Sequence, residues 1–270
     1  MTASSILLDA DQIAAYRRDG VIVLRGIFRD WVEPLGAGVA RNMAEPSAGV
    51  RIYHGPDGSG LFFGDYCNWA RIPEYRAFVF ESPAAEFAAR LMGSSTARLF
   101  HEHVLVKEPG TEVPTPWHHD QPYYCVDGHQ NVSLWLALDP VARETAPEFV
   151  AGSHDWGRWF RPERFNRTPL YEDDGLEPPP DIEGHRANFT IVGWALEPGD
   201  CVAFHFLTLH GAPANRSTTR RRGFSTRWIG DDARFAVRKG PTSPPFRGLT
   251  LKPGQPMEAP EFPLVYRSAP

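Results

Sequence analysis

The chain has 270 residues, 42% of them hydrophobic, and a formal net charge of −5. That length and apolar share fit one domain with its own core, and the acidic balance gives no support to a nucleic-acid partner, which would call for a basic surplus. No apolar run approaches the roughly 20 residues that span a bilayer. The N-terminus lacks a basic stretch followed by an apolar one, and three cysteines without a CxxC spacing make neither a disulfide framework nor a zinc knuckle. A cytoplasmic protein with reduced, buried thiols is expected.

In chain order, Leu8 to Gly20 reads as a capped helix, with Asp9 as N-cap, Gln12 completing a capping box and Gly20 ending it. Val21 to Leu24 reads as a short buried strand. A second helix is expected over Asp30 to Met43, with Asp30 as cap, Pro34 in the first turn, and Trp31, Leu35 and Val39 at spacings of four. Residues 62–69 carry Phe62, Phe63, Tyr66 and Trp69 among glycine and polar residues, and read as irregular. Ser82-Pro83 opens a third helix, to about Met92. From Ala97 the character changes. Short apolar or alternating runs appear at Arg98–Lys107, Asn131–Asp139, Glu148–Val150, Phe189–Trp194, Asp200–Phe206 and Gly223–Ile229, separated by turns such as Glu108-Pro109-Gly110 and Glu197-Pro198-Gly199-Asp200. The plan is one mainly β domain with flanking helices. Residues 1–96 are mostly helical, 97–232 form a sandwich or barrel core, and 233–270 are a proline-rich tail, extended on the surface or disordered. Residues 161–186, with Glu172-Asp173-Asp174 and Pro178-Pro179-Pro180, form a long polar insertion, the kind of loop that is usually functional or mobile, and so a candidate lid.

The densest chemical signal is Pro116-Trp117-His118-His119-Asp120-Gln121-Pro122-Tyr123-Tyr124. In an extended chain residues i and i+2 share a face, so His118 and Asp120 converge while His119 points away. An imidazole and a carboxylate are two-thirds of the facial triad that binds Fe(II) and leaves positions open. The third ligand candidate is His210, which ends the apolar run from Asp200 and is followed by Gly211-Ala212. H-x-D alone arises often by chance; its combination with a distant histidine and a basic run on the next strand is far more informative. That run is Arg220-Arg221-Arg222. Arginine's fork matches the two oxygens of a carboxylate, and in a strand Arg221, Gly223, Ser225 and Arg227 share one face, so only one of the adjacent arginines points inward easily. Arg161, Arg227 and Arg234 read as solvent-exposed, with contact to an anionic substrate as the alternative. His101-Glu102-His103 looks like part of a zinc-hydrolase site but does not continue into H-x-H-x-D-H; pocket or core residues are expected. His119, His129, His154, His185 and His205 read as structural or solvent-facing.

Over residues 11 to about 229 the sequence resembles the phytanoyl-CoA dioxygenase family of Fe(II)/2-oxoglutarate oxygenases, which includes ectoine hydroxylase. The resemblance lies in Asp11–Gly26, Val104–Gly110, Trp117-His118-His119-Asp120, Asn131–Asp139, Glu148–His154 and Leu209–Ser217, in the family's order. It implies a double-stranded β-helix (jelly-roll, cupin-like) with His118, Asp120 and His210 as iron ligands, and 2-oxoglutarate held by Arg221, eleven residues after His210. By the same resemblance Trp135, Val104 and Ala212 border the co-substrate. Ala212 stands where the family often has serine, so a hydroxyl contact is missing. Lys107 and Gln130 are pocket residues by similarity. Tyr123, Tyr124, Phe63 and Trp69 are the aromatic candidates for the substrate pocket. Glu144-Thr145-Ala146-Pro147 departs from the family's Asn-Gly type turn. Related halogenases replace the aspartate by a small residue; Asp120 is present, so the implied reaction is hydroxylation, or another oxidation, of a small molecule by O2 with release of succinate and CO2. The competing reading is a metal-binding cupin-type isomerase or sensor, indifferent to 2-oxoglutarate.

Overall fold

The capping chemistry at the N-terminus forms as its residues dictate. In the computed structural model, which describes residues 8–55, 58, 60–164, 168–170 and 175–269, helix α1 (Ala10–Asp19) begins with the Asp9 carboxylate accepting the Gln12 N–H at 2.7 Å. The Gln12 side chain accepts the Asp9 N–H at 3.0 Å. Gly20 ends the helix at φ 70°, and a Cβ there would lie 2.3 Å from the His154 ring, so backbone and packing both require glycine. Strand β1 (Val21–Leu24) follows. Helix α2 (Val32–Ala44) starts later than Asp30, which instead lies in a 3-10 turn, and no side chain caps it. Strands β2 (Arg51–Tyr53) and β3 (Phe62–Tyr66) form a hairpin where the sequence reads as irregular. Helix α3 (Pro73–Glu81) precedes the expected α4 (Ala84–Met92), at whose start Ser82 Oγ accepts the Ala84 N–H at 3.3 Å.

The β core comprises β4 (Thr96–Lys107), β5 (Thr115–His118), β6 (Val126–Asp127), β7 (Asn131–Ala137), β8 (Glu148–Val150), β9 (Ile191–Val192), β10 (Cys201–Phe204), β11 (His210–Ala212), β12 (Arg221–Ile229), β13 (Arg234–Phe235) and β14 (Leu264–Arg267). Among the described residues one sheet runs β1-β10-β7-β12-β4-β3-β2, with β14 also on β4, and a second runs β5-β11-β8-β9. Within these two sheets every strand pairing among the described residues is antiparallel. The two sheets make the double-stranded β-helix. Only Ile191–Val192 of the expected run at Phe189–Trp194 is strand, and the tail contributes β14 instead of staying unpaired. Of the 161–186 insertion, Glu172-Asp173-Asp174 lie outside the described residues.

The large sheet has two different faces, and this places the site. Its outer face packs on the helices: Tyr75 and Phe78 of α3 meet Phe224 of β12 at ring distances of 4.7 and 5.4 Å, and Trp228 is fully buried beside them. Each such fully buried large side chain is worth about 1.5–3 kcal/mol of transfer free energy. Its inner face carries polar groups in alternation, among them Lys107, Arg221, Arg227 and Ser133, all buried. Cys125 and Cys201 are buried and Cys67 is exposed. No helix among the described residues is long and apolar enough to cross a membrane.

Candidate metal centre and cationic pocket

His118 ends β5 and pairs directly with His210 on β11, which brings the rings to 4.2 Å. Asp120 is not on the strand. Its φ −75°, ψ −39° are helical, and it opens a 3-10 turn over Gln121–Tyr123, with its N–H on the Phe206 carbonyl at 2.7 Å. The H-x-D residues therefore converge because the chain turns, not because a strand alternates. Asp120 Oδ1 lies 3.6 Å from His118 Nε2 and 3.9 Å from His210 Nε2, and the three candidate ligand atoms all fall within 4.8 Å of one another. His118 Nδ1 lies 2.8 Å from the Pro116 carbonyl, and His210 Nδ1 lies 2.9 Å from the Thr208 carbonyl. A carbonyl can only accept, so each Nδ1 carries the proton and each Nε2 offers its lone pair. Burial, then His118, pushes the His210 imidazole down to about 3, which keeps it neutral. Burial raises the Asp120 carboxyl, but the Arg227 guanidinium outweighs it and holds the group well below the usual carboxylate range. Two imidazoles and a carboxylate with further positions open are the donor set of a non-haem Fe(II) site. His119 points away, accepting the Phe160 N–H at 2.9 Å.

The β4–β12 register sets Lys107 opposite Arg221. Lys107 is 1% exposed and Arg221 7%. The Lys107 ammonium sits 4.7 Å from the centre of the Phe62 ring and donates to the Pro213 carbonyl at 3.1 Å; Arg221 donates to the Thr145 carbonyl. No carboxylate among the described residues pairs with either cation. Burial, with Arg221 adding to it, pushes Lys107 down to about 6, and burial pushes Arg221 to about 10. A buried guanidinium beside a buried amine, with no carboxylate among the described residues to neutralise them, is costly and suits an anionic ligand. Their neighbours are neutralised: Arg220 pairs with Glu108 and Arg222 with Asp139, both at 2.7 Å. Trp135 lies opposite Ser225, and its indole rests on Gly223, where a Cβ would be 2.3 Å away. Ala212, two residues after His210, precedes Pro213, whose carbonyl accepts from Lys107.

Four expected site residues point elsewhere. Val104 lies opposite Phe224, fully buried on the helix side of β4; Leu105, half-buried, takes the inner-face position. Phe63 is likewise in the helix-side core, whereas Phe62 and Tyr66 share the Lys107 and His103 face. Trp69 packs against that same core and meets Phe80 at 5.8 Å. The Gln130 side chain bonds the Gly93 carbonyl and the Asp232 N–H. Tyr123 and Tyr124 do lie beside the triad. Tyr123 stands edge-on to His118 at 5.9 Å, and Tyr124 bonds Arg227. Arg227, expected exposed, is buried with Nε 3.4 Å from Asp120 Oδ2. Its place on the face of Arg221 was readable from strand alternation. Ser133, which donates to the same oxygen at 3.3 Å, is one small residue in an apolar run and gave no signal. His103 stands half-buried on the inner face, edge-on to Tyr66 at 5.7 Å, and His101 is buried beside it.

Two antiparallel sheets around a two-histidine, one-carboxylate triad, with a buried cationic pair alongside, define a double-stranded β-helix protein with a facial metal site. The family model for phytanoyl-CoA dioxygenase (PhyH) matches residues 16–223, and the chain belongs to that family. Among solved structures it is similar to the non-haem α-ketoglutarate-dependent epimerase SnoN from nogalamycin biosynthesis, at 25% identity over 95% of each chain with a TM-score of 0.74. SnoN has also been solved with Fe3+, α-ketoglutarate and nogalamycin RO. The fold is shared with the carbocyclase SnoK of the same biosynthesis, at 23% identity over 96% of each chain and a TM-score of 0.73. It is shared too with EctD from S. alaskensis, solved with 2-oxoglutarate and 5-hydroxyectoine, at 20% identity over 95% of this chain and 88% of that one, TM-score 0.70. No curated protein matches the sequence.

Proposed function

We propose that the protein is an Fe(II)- and 2-oxoglutarate-dependent oxygenase that hydroxylates a small organic molecule. The observation that carries this reading is the pair of buried basic side chains, Lys107 and Arg221, on the inner face of the large sheet, which no carboxylate among the described residues neutralises, in the same fold as a metal-type triad built on the second sheet. A dicarboxylate keto acid needs both features, a cationic anchor at one end and a metal at the other. His118, Asp120 and His210 would hold the iron. Arg221 would grip the far carboxylate through its fork, Lys107 would add a second charge, and Trp135 and Ala212 would wall the cavity. Bound iron with 2-oxoglutarate supplies the oxidative decarboxylation that activates O2, giving succinate, CO2 and an oxidised product. The chain's own contribution is ligand geometry, orientation of the keto acid and exclusion of water. Tyr123, Tyr124 and Tyr66 are the aromatics that face the substrate side.

A second reading of the outcome, epimerisation or ring closure, is favoured by the likeness to SnoN, an epimerase; it uses the same triad and co-substrate. The cupin-type isomerase or sensor is disfavoured because it leaves the two buried cations without a purpose. The test is the slow turnover of 2-oxoglutarate by purified protein without added substrate. The proposal expects succinate formation that requires both Fe(II) and O2 and is lost in His210→Ala. Succinate formation unaffected by that substitution would overturn it.

A further inference from the structure

Asp120 presents its two oxygens to different surroundings. Oδ1 faces the imidazoles of His118 and His210, at 3.6 and 3.9 Å. Oδ2 faces the large sheet, where Ser133 Oγ donates to it at 3.3 Å and Arg227 Nε lies 3.4 Å away. The Tyr124 hydroxyl completes the set. It takes the N–H of Arg227 Nε at 2.5 Å. Strand register fixes these positions: Arg227 on β12 lies opposite Ser133 on β7 and opposite His101 on β4, and all three sit on the inner face.

Stability does not account for Arg227. The residue is 5% exposed, and its Nη1 is buried with no hydrogen-bond partner among the described residues. A buried guanidinium with an unmet N–H is a poor stabiliser compared with an apolar side chain of the same volume. Nor does metal affinity account for it, since a fixed positive charge beside the triad opposes an incoming cation.

We propose that Arg227, with Tyr124 and Ser133, is a positioning residue that keeps Asp120 a one-oxygen metal ligand. This rests on the functional reading above. A facial triad leaves three positions open, all of which the bound metal would need for a chelating keto acid and O2. A carboxylate free to rotate and bind through both oxygens would take one of these three. Engaging Oδ2 from the sheet side prevents that rotation. The role carries a distinctive sign. Losing Arg227 leaves metal binding unweakened, or strengthens it, and weakens the binding of the keto acid that follows.

The test titrates Co(II) into the metal-free full chain by calorimetry, then 2-oxoglutarate into the Co(II)-loaded protein, for wild type, Arg227→Met, Arg227→Lys and Tyr124→Phe, with a melting temperature for each. The expected result for Arg227→Met is a Co(II) Kd no weaker than wild type and a 2-oxoglutarate Kd raised about tenfold to hundredfold, the range in which groups supporting metal ligands act. Tyr124→Phe moves in the same direction by less, and Arg227→Lys recovers part of the loss. Should Arg227→Met fail to fold, Tyr124→Phe, which removes one oxygen atom, decides alone. Variants that bind 2-oxoglutarate like wild type overturn the proposal, as do variants whose Co(II) affinity, 2-oxoglutarate affinity and melting temperature fall together, the mark of lost packing. A wild type that binds Co(II) but not 2-oxoglutarate overturns the functional reading, and this role with it.

Discussion

On the proposed function, Lys107 should make the binding of 2-oxoglutarate a proton-coupled event. Its ammonium, ordinarily titrating at 10.5, is pushed to about 6 by burial and by Arg221, so the free protein holds it neutral at pH 8. A carboxylate arriving between Lys107 and Arg221 favours the charged form, so binding at pH 8 takes up as much as one proton. The energetics can be bounded. A unit charge pair about 4 Å apart gains about 4 kcal/mol at an effective dielectric constant near 20. Charging a lysine one pH unit above its pKa costs about 1.4 kcal/mol. The difference, about 2–3 kcal/mol, corresponds to roughly a 30- to 150-fold contribution to affinity at pH 7. Lys107→Met should lose about that factor and lose the proton uptake, while Arg221 still anchors the ligand. Calorimetry of metal-loaded protein in two buffers of different ionisation enthalpy measures the proton count directly. Wild-type affinity should fall with rising pH above about 6, by up to tenfold per unit. Fold stability has the opposite sign: between about pH 6 and 10.5 the unfolded chain binds a proton that the folded one does not, so stability rises with pH across that window. No proton uptake at pH 8, together with a Lys107→Met affinity within twofold of wild type, would refute the reasoning.

Two substitutions probe the inner and outer faces of the large sheet separately. Gly223→Ala puts a Cβ 2.3 Å from the Trp135 ring; the indole must shift, costing about 1–3 kcal/mol of stability. Denaturant melts and a 2-oxoglutarate titration should both register the change, whereas an unchanged 2-oxoglutarate Kd would show that Trp135 does not wall that cavity. Phe63→Ala, in the helix-side core, should destabilise the fold by about 3–5 kcal/mol and leave 2-oxoglutarate affinity within a few-fold. The reverse pattern would return Phe63 to the pocket.

The parts of the fold legible in the sequence were those where local chemistry and tertiary context agree. The Asp9–Gln12 capping box is self-contained, and β4 runs over twelve residues with the apolar Val104-Leu105-Val106 near its end. β3 was hidden because Gly64 and Asp65 break an apolar run. Asp65 is tolerated there because Ser47 and Asn42 bond its carboxylate at 2.5–2.8 Å, partners 18 and 23 residues away in the chain. α3 lacked a side-chain cap to announce it, and β14 forms only because β4 offers it an edge. In the site, residue types and spacing pointed to His118, Asp120 and His210, and the family resemblance to Arg221, but periodicity gave the wrong reason for Asp120. The misplacements of Val104 and Phe63 are one-residue errors of phase. A strand alternates with period two, so the neighbours Leu105 and Phe62 carry the pocket face. Arg227 was misjudged because an arginine is exposed by default, and only the packed structure reveals the Asp120 carboxylate and Tyr124 hydroxyl that receive it.

The central claim is that His118, Asp120 and His210 hold iron so that it can chelate 2-oxoglutarate. Anaerobic addition of Fe(II) and then 2-oxoglutarate to the metal-free protein tests it most directly. The account predicts a weak visible charge-transfer band that needs both components and disappears in His210→Ala. Folded protein that takes up iron yet develops no such band with saturating 2-oxoglutarate would contradict it.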